Sequence, residues 1–425
     1  MEKTGSDPYS NAVTQLKQAS AILASSYADK KEAFEQIIER LQTPDRVVQE
    51  SVEIEMDDGS KNQYLVFRSQ HNDARGPYKG GIRFHENVTL EEVKALSMWM
   101  TWKCAITGIS YGGSKGGVVV NPRELSRAEL ERLSRAYARV VAPYVGAWKD
   151  VPAPDVNTNG QIMAWMLDEF ERIVGHHEPA AFTGKPLEIG GSLGREEATG
   201  KGGVFVLLEF AKRIGKEPSD LTVAVQGIGN VGSWFAKLAV EAGFRVVAVA
   251  DSRGGVRSKK DLSINIDELI EHKKSKGSVK GFRGTVALTS EAFLLQDVDI
   301  LVPSALENVI TPEVAKKMRA KAIVEMANGP VTPEADEILW KRKILSVPDV
   351  LANAGGVTVS YFEWVQNLHG YTWSKEEVFA KLEPLMVRAF DQMWTTHEDK
   401  KINLRMSAYV GALKRVVDAM LLRGR

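Results

Sequence analysis

The sequence predicts a two-domain α/β fold, an α/β first domain followed by a second domain built on a doubly wound parallel sheet. Three observations predict it. The chain has 425 residues, more than one hydrophobic core usually serves. Near residue 190 the pattern changes to a repeated order of apolar strand, turn and helix, which builds a parallel sheet with helices on its faces. The first of those turns, Gly227-Ile228-Gly229-Asn230-Val231-Gly232, is a G-x-G-x-x-G set between a strand and a helix.

The elements follow in order. Ala33, Phe34, Ile37, Ile38 and Leu41 have helical spacing, and the chain up to Leu41 reads as helix until Pro44 stops it. Val47 to Met56 alternates apolar and polar as a half-buried strand does; Asp58-Gly59 signals a hairpin, and Tyr64 to Arg68 is the returning strand. Residues 86–107 are helical, with Leu90, Val93, Leu96 and Met100 on one side. Helices follow at 126–143 and 159–174, then a glycine- and proline-rich loop from His176 to Gly194. In the second domain the strands are Leu221 to Val225, Phe244 to Ala250, Asp299 to Val302, Ala322 to Glu325 and Ile344 to Val347. From Tyr361 the chain is again helical.

Composition removes several classes of function. The 55 basic and 55 acidic side chains cancel, whereas a nucleic-acid or anionic-membrane binder carries a basic excess. With 44% hydrophobic and 26% charged residues the chain is of the folded kind. Its single cysteine, Cys104, makes an internal disulfide impossible, rules out a cysteine-rich metal site and fits a reducing cytoplasm; no metal is expected. Met1 to Ser10 is polar and lacks a signal peptide's apolar core. No apolar run approaches the ~18 residues of a membrane span, and the terminal Leu-Leu-Arg-Gly-Arg holds no prenylation cysteine.

The glycine turn points to a dinucleotide, in a Rossmann-like domain. Gly227 permits the tight turn, Gly229 lets a pyrophosphate approach the backbone, and Gly232 closes the motif; the helix from Asn230 and Val231 offers free amides and partial positive charge. The next strand ends at Asp251, whose carboxylate suits the hydroxyls of the adenosine ribose and repels a 2′-phosphate, favouring NAD. Arg253 and Arg257 are close enough in sequence to offset that repulsion, which leaves NADP as the alternative. A second phosphate motif fails: Gly194 to Lys201 has the wrong glycine spacing, and Gly202 stands where a P-loop needs Ser or Thr.

Three lysines in the first domain stand in unusual surroundings. Lys79 lies in Gly-Pro-Tyr-Lys-Gly-Gly-Ile-Arg-Phe-His, Lys103 in Met-Thr-Trp-Lys-Cys-Ala and Lys115 in Tyr-Gly-Gly-Ser-Lys-Gly-Gly. Converging ammonium groups would suit a dianionic acid and depress one another's pKa toward the range of a proton carrier. Spacing alone leaves three solvated surface lysines as the competing reading. Asp155, in Val-Pro-Ala-Pro-Asp-Val-Asn-Thr-Asn, is either a turn residue before a helix or a proton carrier held by the stiff prolines.

These segments, with Ala-Asn-Ala-Gly-Gly-Val-Thr-Val-Ser-Tyr near residue 355, closely resemble the glutamate dehydrogenases, of the short hexameric class of bacteria and archaea. The resemblance runs from about residue 40 to the end. It implies that Lys79 and Ser360 bind the substrate's side-chain carboxylate, Lys103 its α-carboxylate, and that Lys115 and Asp155 are catalytic. It places Thr199 and Asn230 at cofactor-binding positions and Asn328 and Asn353 near the nicotinamide. Relatives for leucine, phenylalanine and valine carry an apolar residue in place of the side-chain lysine, so Lys79 with Ser360 points to glutamate.

The expectation is therefore a cytoplasmic homohexamer that interconverts L-glutamate with 2-oxoglutarate and ammonium using NAD(P). Residues 1–190, closed by helices 360–425, would bind substrate and oligomerise, and residues 191–359 would bind the dinucleotide. Two rivals remain: a leucine-, phenylalanine- or valine-type dehydrogenase, and a catalytically silent NAD-binding regulatory subunit, which would be free to lose Lys115 and Asp155.

Overall fold

The computed structural model describes residues 8–425; residues 1–7, part of the Met1–Ser10 segment read above for a signal peptide, lie outside the described residues. The chain divides into two units. One runs through Arg195 and adds Thr358–Val378 and Tyr409–Arg425; the other holds Glu196–Val357 and Phe379–Ala408.

The first unit is built on five strands, β1 (Arg46–Glu55), β2 (Lys61–Asn72), β3 (Tyr78–Phe84), β4 (Gly113–Val118) and β5 (Asp150–Pro154), in the order β1-β2-β4-β3-β5. β1 and β2 form the expected hairpin with Val52 opposite Tyr64, and Gly59 takes the positive φ of 83° that its turn requires. The sheet alternates its faces: Val66 packs in a core with Leu133 and Tyr137 of the helix Arg127–Val141 and Met166 of the helix Gly160–Val174, while Phe67 packs with Val88 and Val93. Ser126 and Glu129 start the helix Arg127–Val141 with a reciprocal capping box. The helix Leu90–Thr107 begins on Thr89, whose side chain accepts from the Glu92 amide, and ends at left-handed Gly108.

β3, β4 and β5 went unread in the sequence because glycine and proline fill them and both are poor strand formers. The fold needs them there. A Cβ at Gly80 would run into the Ser114 carbonyl, and β5, with Pro152 and Pro154, is an edge strand where a missing N–H is tolerated. A buried ion pair ties four strands together. Arg68 of β2 donates from Nε to Asp150 Oδ2 of β5 (2.8 Å), from Nη2 to Ser114 Oγ of β4 (2.7 Å) and from Nη1 to the Gly80 carbonyl of β3 (3.2 Å).

The second unit carries seven strands, β6 (Thr222–Gln226), β7 (Arg245–Asp251), β8 (Gly254–Ser258), β9 (Thr285–Leu288), β10 (Ile300–Pro303), β11 (Ala322–Val324) and β12 (Leu345–Val347), in the order β12-β11-β10-β6-β7-β8-β9. The five strands expected from sequence pair in parallel. β8 and β9 were not foreseen and are antiparallel. The reason is local: Asp251 pairs with Gly254, so the chain turns back at once on two residues and can only return antiparallel. β6 pairs with β7 on one side and β10 on the other, so the strand order reverses at the carboxyl end of β6, where doubly wound sheets bind their ligands.

One boundary differs from expectation. Phe379–Ala408 belongs to the second unit, not to the first with the rest of 360–425. Its aromatic residues explain this: Trp394 stacks with Phe390 and meets Phe210 of the helix Ala198–Arg213 edge-on at 6.1 Å. No helix among the described residues is long and apolar enough to cross a membrane.

Candidate active site

In the first unit, β3 runs between β4 and β5 and sets Lys115 and Asp155 against each other. Lys115 is the third residue of β4, and Asp155 follows the last residue of β5. Lys115 Nζ lies 3.0 Å from Asp155 Oδ1, and Arg83 of β3 donates from Nε to the other oxygen, Oδ2, at 2.8 Å. Arg83 Nη1 also donates to Glu92 Oε1 at 2.5 Å. The Asp155 amide donates to Thr158 Oγ1 (2.7 Å), and that hydroxyl donates to the Ile82 carbonyl (2.8 Å), which anchors the loop on β3.

Charge in this cluster is finely opposed. Burial pulls the Lys115 ammonium below its ordinary value; Asp155 resists, and Arg83 and Lys103 add to the depression. Burial alone would raise the Asp155 carboxyl, but Lys115 and Arg83 outweigh it and hold it below the carboxylate range. A lysine depressed by burial and like charge, beside a carboxylate kept ionised, is a pair able to accept and return protons.

Lys79 heads a second polar group. Only 1% exposed, it donates from Nζ to Thr183 Oγ1 (2.7 Å) and to the Val151 carbonyl (2.9 Å). Thr183 Oγ1 in turn lies 2.6 Å from Ser360 Oγ. Burial brings the Lys79 ammonium down to about 7, opposed by Glu363 and assisted by Arg68 and Arg195. Glu363 accepts from Lys185 Nζ (2.6 Å) and from the Gly184 amide (2.8 Å). The Tyr111 ring lies 5.9 Å from Lys79 Nζ. Lys103 sits half-buried on the helix Leu90–Thr107, where its charge acts on Lys115 and, with Lys79, on the Cys104 thiol, which burial pushes up to about 12.

Sequence reading missed Thr183, Lys185, Arg195, Glu363 and the part played by Arg83. Glu363 was findable, being one helical turn from Ser360. Thr183 was not, because its partners come from β3, β5 and a helix distant in sequence.

In the second unit, Gly227 leaves β6 with φ 97° and Asn230 opens the helix Asn230–Glu241. A Cβ at Gly232 would strike the Gly227 carbonyl, whereas one at Gly229 would meet nothing, so the second glycine faces open space. The exposed Gly229 and Asn230 and the half-buried Val231 surround first-turn amides that have no acceptor one helical turn back. This is the cradle a pyrophosphate requires. Asn230 Nδ2 reaches the Glu196 carbonyl at 3.4 Å, which brings the turn near Thr199 in the first turn of the helix Ala198–Arg213. Asn353 Nδ2 donates to Asn328 Oδ1 at 2.9 Å, so those two form a pair.

Asp251 ends β7. It accepts from the Arg253 amide (2.8 Å) and the Val279 amide (2.6 Å), and these amides outweigh burial to hold it below its ordinary value. The carboxylate still has acceptor capacity for a ribose hydroxyl. Arg257, one of two cations weighed as balancing a 2′-phosphate, is engaged elsewhere, with Asp261 (2.9 Å) and Gln296 Oε1 (2.9 Å). Lys273, unforeseen, donates to the Ile228 carbonyl within the glycine turn (2.9 Å) and adds its charge near Asp251.

Comparison with known proteins adds the following. Residues 190–424 match the family described as glutamate/leucine/phenylalanine/valine dehydrogenase, and residues 44–172 match its dimerisation domain. The chain is 50% identical over 391 residues to an NAD-specific glutamate dehydrogenase of Clostridioides difficile, covering 91% of this chain and 93% of that one. It is 50% identical over 385 residues to an NADP-specific glutamate dehydrogenase of Halobacterium salinarum, covering 90% and 92%. Among solved structures, the glutamate dehydrogenase of Peptoniphilus asaccharolyticus superposes with a TM-score of 0.86 at 42% identity, covering 98% of this chain and 99% of that one.

Proposed function

This chain belongs to the glutamate/leucine/phenylalanine/valine dehydrogenase family, and we propose that within it the chain is a glutamate dehydrogenase that interconverts L-glutamate, NAD(P)+ and water with 2-oxoglutarate, ammonium, NAD(P)H and a proton. The observation that carries glutamate over an apolar amino acid is Lys79, a buried ammonium hydrogen-bonded to Thr183 and through it to Ser360. A buried cation is costly unless an anion meets it. The side-chain carboxylate of glutamate meets it; the side chain of leucine, phenylalanine or valine does not.

The roles of the remaining residues are those the resemblance implies, and their chemistry suits them. Lys103 holds the α-carboxylate, and with Lys79 and Ser360 it fixes Cα, positioning that is itself a large part of the acceleration. The Gly227–Gly232 turn takes the pyrophosphate and Asp251 the adenosine ribose; Thr199, Asn328 and Asn353 line the same site. Bound NAD(P) supplies the hydride acceptor. Asp155 carries the proton to and from the amino group as the substrate imine forms. Lys115, neutral, takes a proton from the water that attacks the imine carbon, and charged, it stabilises negative charge on the attacking oxygen. NAD is the preferred cofactor because the Asp251 carboxylate at the end of β7 suits ribose hydroxyls and would repel a 2′-phosphate.

The protein assembles as a homohexamer in the cytoplasm. Support comes from the resemblance of its motifs to the hexameric class and from the match of residues 44–172 to a dimerisation domain. Light scattering at working concentration is expected to give six chains; a fully active monomer would reject that assembly.

The deciding experiment is formation of NADH and NADPH over a panel of amino acids. Glutamate is expected to lead, with leucine, phenylalanine and valine far behind. An apolar leader would replace glutamate with that substrate. No turnover with any amino acid would favour the silent NAD-binding subunit.

A further inference from the structure

Arg83 occupies a place that binding and proton transfer as described above do not use. It extends from β3 and joins two carboxylates, taking Asp155 Oδ2 with Nε (2.8 Å) and Glu92 Oε1 with Nη1 (2.5 Å). Asp155 Oδ1 faces Lys115 Nζ. Each oxygen of Asp155 therefore has its own cation, and the two cations differ in kind. The ammonium of Lys115 can swivel on a flexible stem, whereas the guanidinium is planar, permanently charged and donates in a fixed fork. Its far side is fastened to Glu92, which lies in the first turn of the capped helix Leu90–Thr107. The Arg83 side chain is 19% exposed and that of Asp155 17%, so water competes weakly for either.

We propose that Arg83 is the positioning residue of the Asp155–Lys115 pair, fixing the rotation of the Asp155 carboxylate so that Oδ1 is presented to Lys115 and supplying the constant positive charge that sets the pair's proton balance. The inference rests on the catalytic reading of Asp155 and Lys115 above. Without Arg83 the carboxylate would be free to turn, and both oxygens would close on the ammonium. A tighter pair exchanges protons less readily and aims them less well.

The direction of the charge effect is fixed by the groups present. Asp155 is faced by Lys115 from β4 and Arg83 from β3; Lys115 is faced by Asp155, Arg83 and Lys103 of the helix Leu90–Thr107; Arg83 is faced by Asp155 and Glu92. Arg83 favours the ionised carboxylate and disfavours the ammonium. Its removal raises both, so the two limbs of the pH–rate profile should move the same way, to higher pH.

The test is kcat against pH for the parent, Arg83→Gln, Arg83→Lys, Glu92→Gln and Asp155→Asn. Arg83→Gln is expected to lower kcat by roughly tenfold to a hundredfold through misplacement, with the KM for glutamate little changed and both limbs displaced upward. Arg83→Lys, which keeps the charge and loses the fork, should restore the limbs while kcat stays reduced. Glu92→Gln should lower kcat less than Arg83→Gln. If Arg83→Gln does not fold, Arg83→Lys and Glu92→Gln decide: reduced kcat in both supports the proposal, and parental kcat in both overturns it. Limbs unmoved in folded Arg83→Gln overturn it as well, whatever the fall in kcat. An Asp155→Asn enzyme with parental turnover would instead overturn the catalytic reading beneath; an inactive Asp155→Asn with parental Arg83→Gln overturns this inference alone.

Discussion

Lys115 Nζ and Asp155 Oδ1 meet at 3.0 Å although their strands, β4 and β5, do not pair; β3 runs between them. The approach depends on β3 having no side chain at Gly81, where a Cβ would lie 2.8 Å from that of Asp155. The pairs Gly81 with Ala153 and Ile82 with Pro154 then bring Arg83 alongside Asp155. A side chain at position 81 would push Asp155 away from Lys115.

Removing either partner should abolish turnover. Lys115→Ala and Asp155→Asn are each expected to lower kcat on the order of 10²–10⁴-fold, the usual contribution of a positioned proton carrier. Near-ultraviolet circular dichroism and NADH fluorescence titration should show the fold and the second unit's cofactor site unchanged. Turnover within tenfold of the parent would remove that residue from the mechanism.

The buried Arg68–Asp150 pair should be structural. Asp150→Asn leaves Arg68 charged in a site with no exposure, and breaking such a pair costs about 3–5 kcal/mol. Denaturant unfolding should record the loss. A midpoint equal to the parent's would mean that Ser114 and the Gly80 carbonyl suffice to hold the guanidinium.

Cofactor choice should turn on Asp251 and not on Arg257. Loss of one charged hydrogen bond at about 1.5 kcal/mol corresponds to about tenfold. Asp251→Ser should therefore lower kcat/KM for NAD about tenfold and raise it for NADP. Arg257→Ala should leave the ratio unchanged, since its guanidinium is held by Asp261 and Gln296. A ratio that moves with Arg257 and not with Asp251 would reverse the assignment.

What was legible in the sequence depended on how local its cause is. The five parallel strands of the second unit and the glycine turn could be read because a short apolar run and a turn motif each act within a few residues. β8 escaped notice because a two-residue turn at Ser252 and Arg253 sends it back, and β9 because Val286 and Ala287 are exposed there and give no apolar pattern. β3 to β5 were hidden by the same glycines and prolines that marked the motifs as unusual. The resemblance singled out Lys79 and Ser360 but not Thr183, which lies between them, since a bridging hydroxyl leaves no periodic or compositional trace.

Glu325 offers a test by pH. It is fully buried after β11; burial raises its carboxyl to about 7, against the pull of Arg405, and Asp349 and Asp336 raise it further. A raised acid stabilises the folded state below its unfolded value, near 4.5, and loses that contribution as pH climbs through about 7. Glu325→Gln, which cannot ionise, should therefore gain in melting temperature relative to the parent between pH 5 and pH 8. Each 1 kcal/mol is worth about 2–4 °C in a domain of this size. A constant difference across that range would show that Glu325 does not titrate there.

Lys79 should decide the substrate, and its proton should report the binding. Its ammonium, brought down to about 7 by burial, is largely neutral in the free enzyme at pH 8. An incoming side-chain carboxylate favours the charged form, so glutamate binding at pH 8 should take up a proton. Calorimetry in buffers of different ionisation heat reads that uptake directly. Norvaline, which lacks the carboxylate, should bind without it and turn over poorly. Lys79→Leu removes the buried amine that norvaline leaves unmatched and strands the carboxylate of glutamate. The kcat/KM ratio of glutamate to norvaline should then fall by at least about tenfold, the equivalent of a single charged hydrogen bond. Proton uptake that persists in Lys79→Leu would place the titrating group elsewhere, and an unchanged ratio would show that Lys79 does not read the side chain.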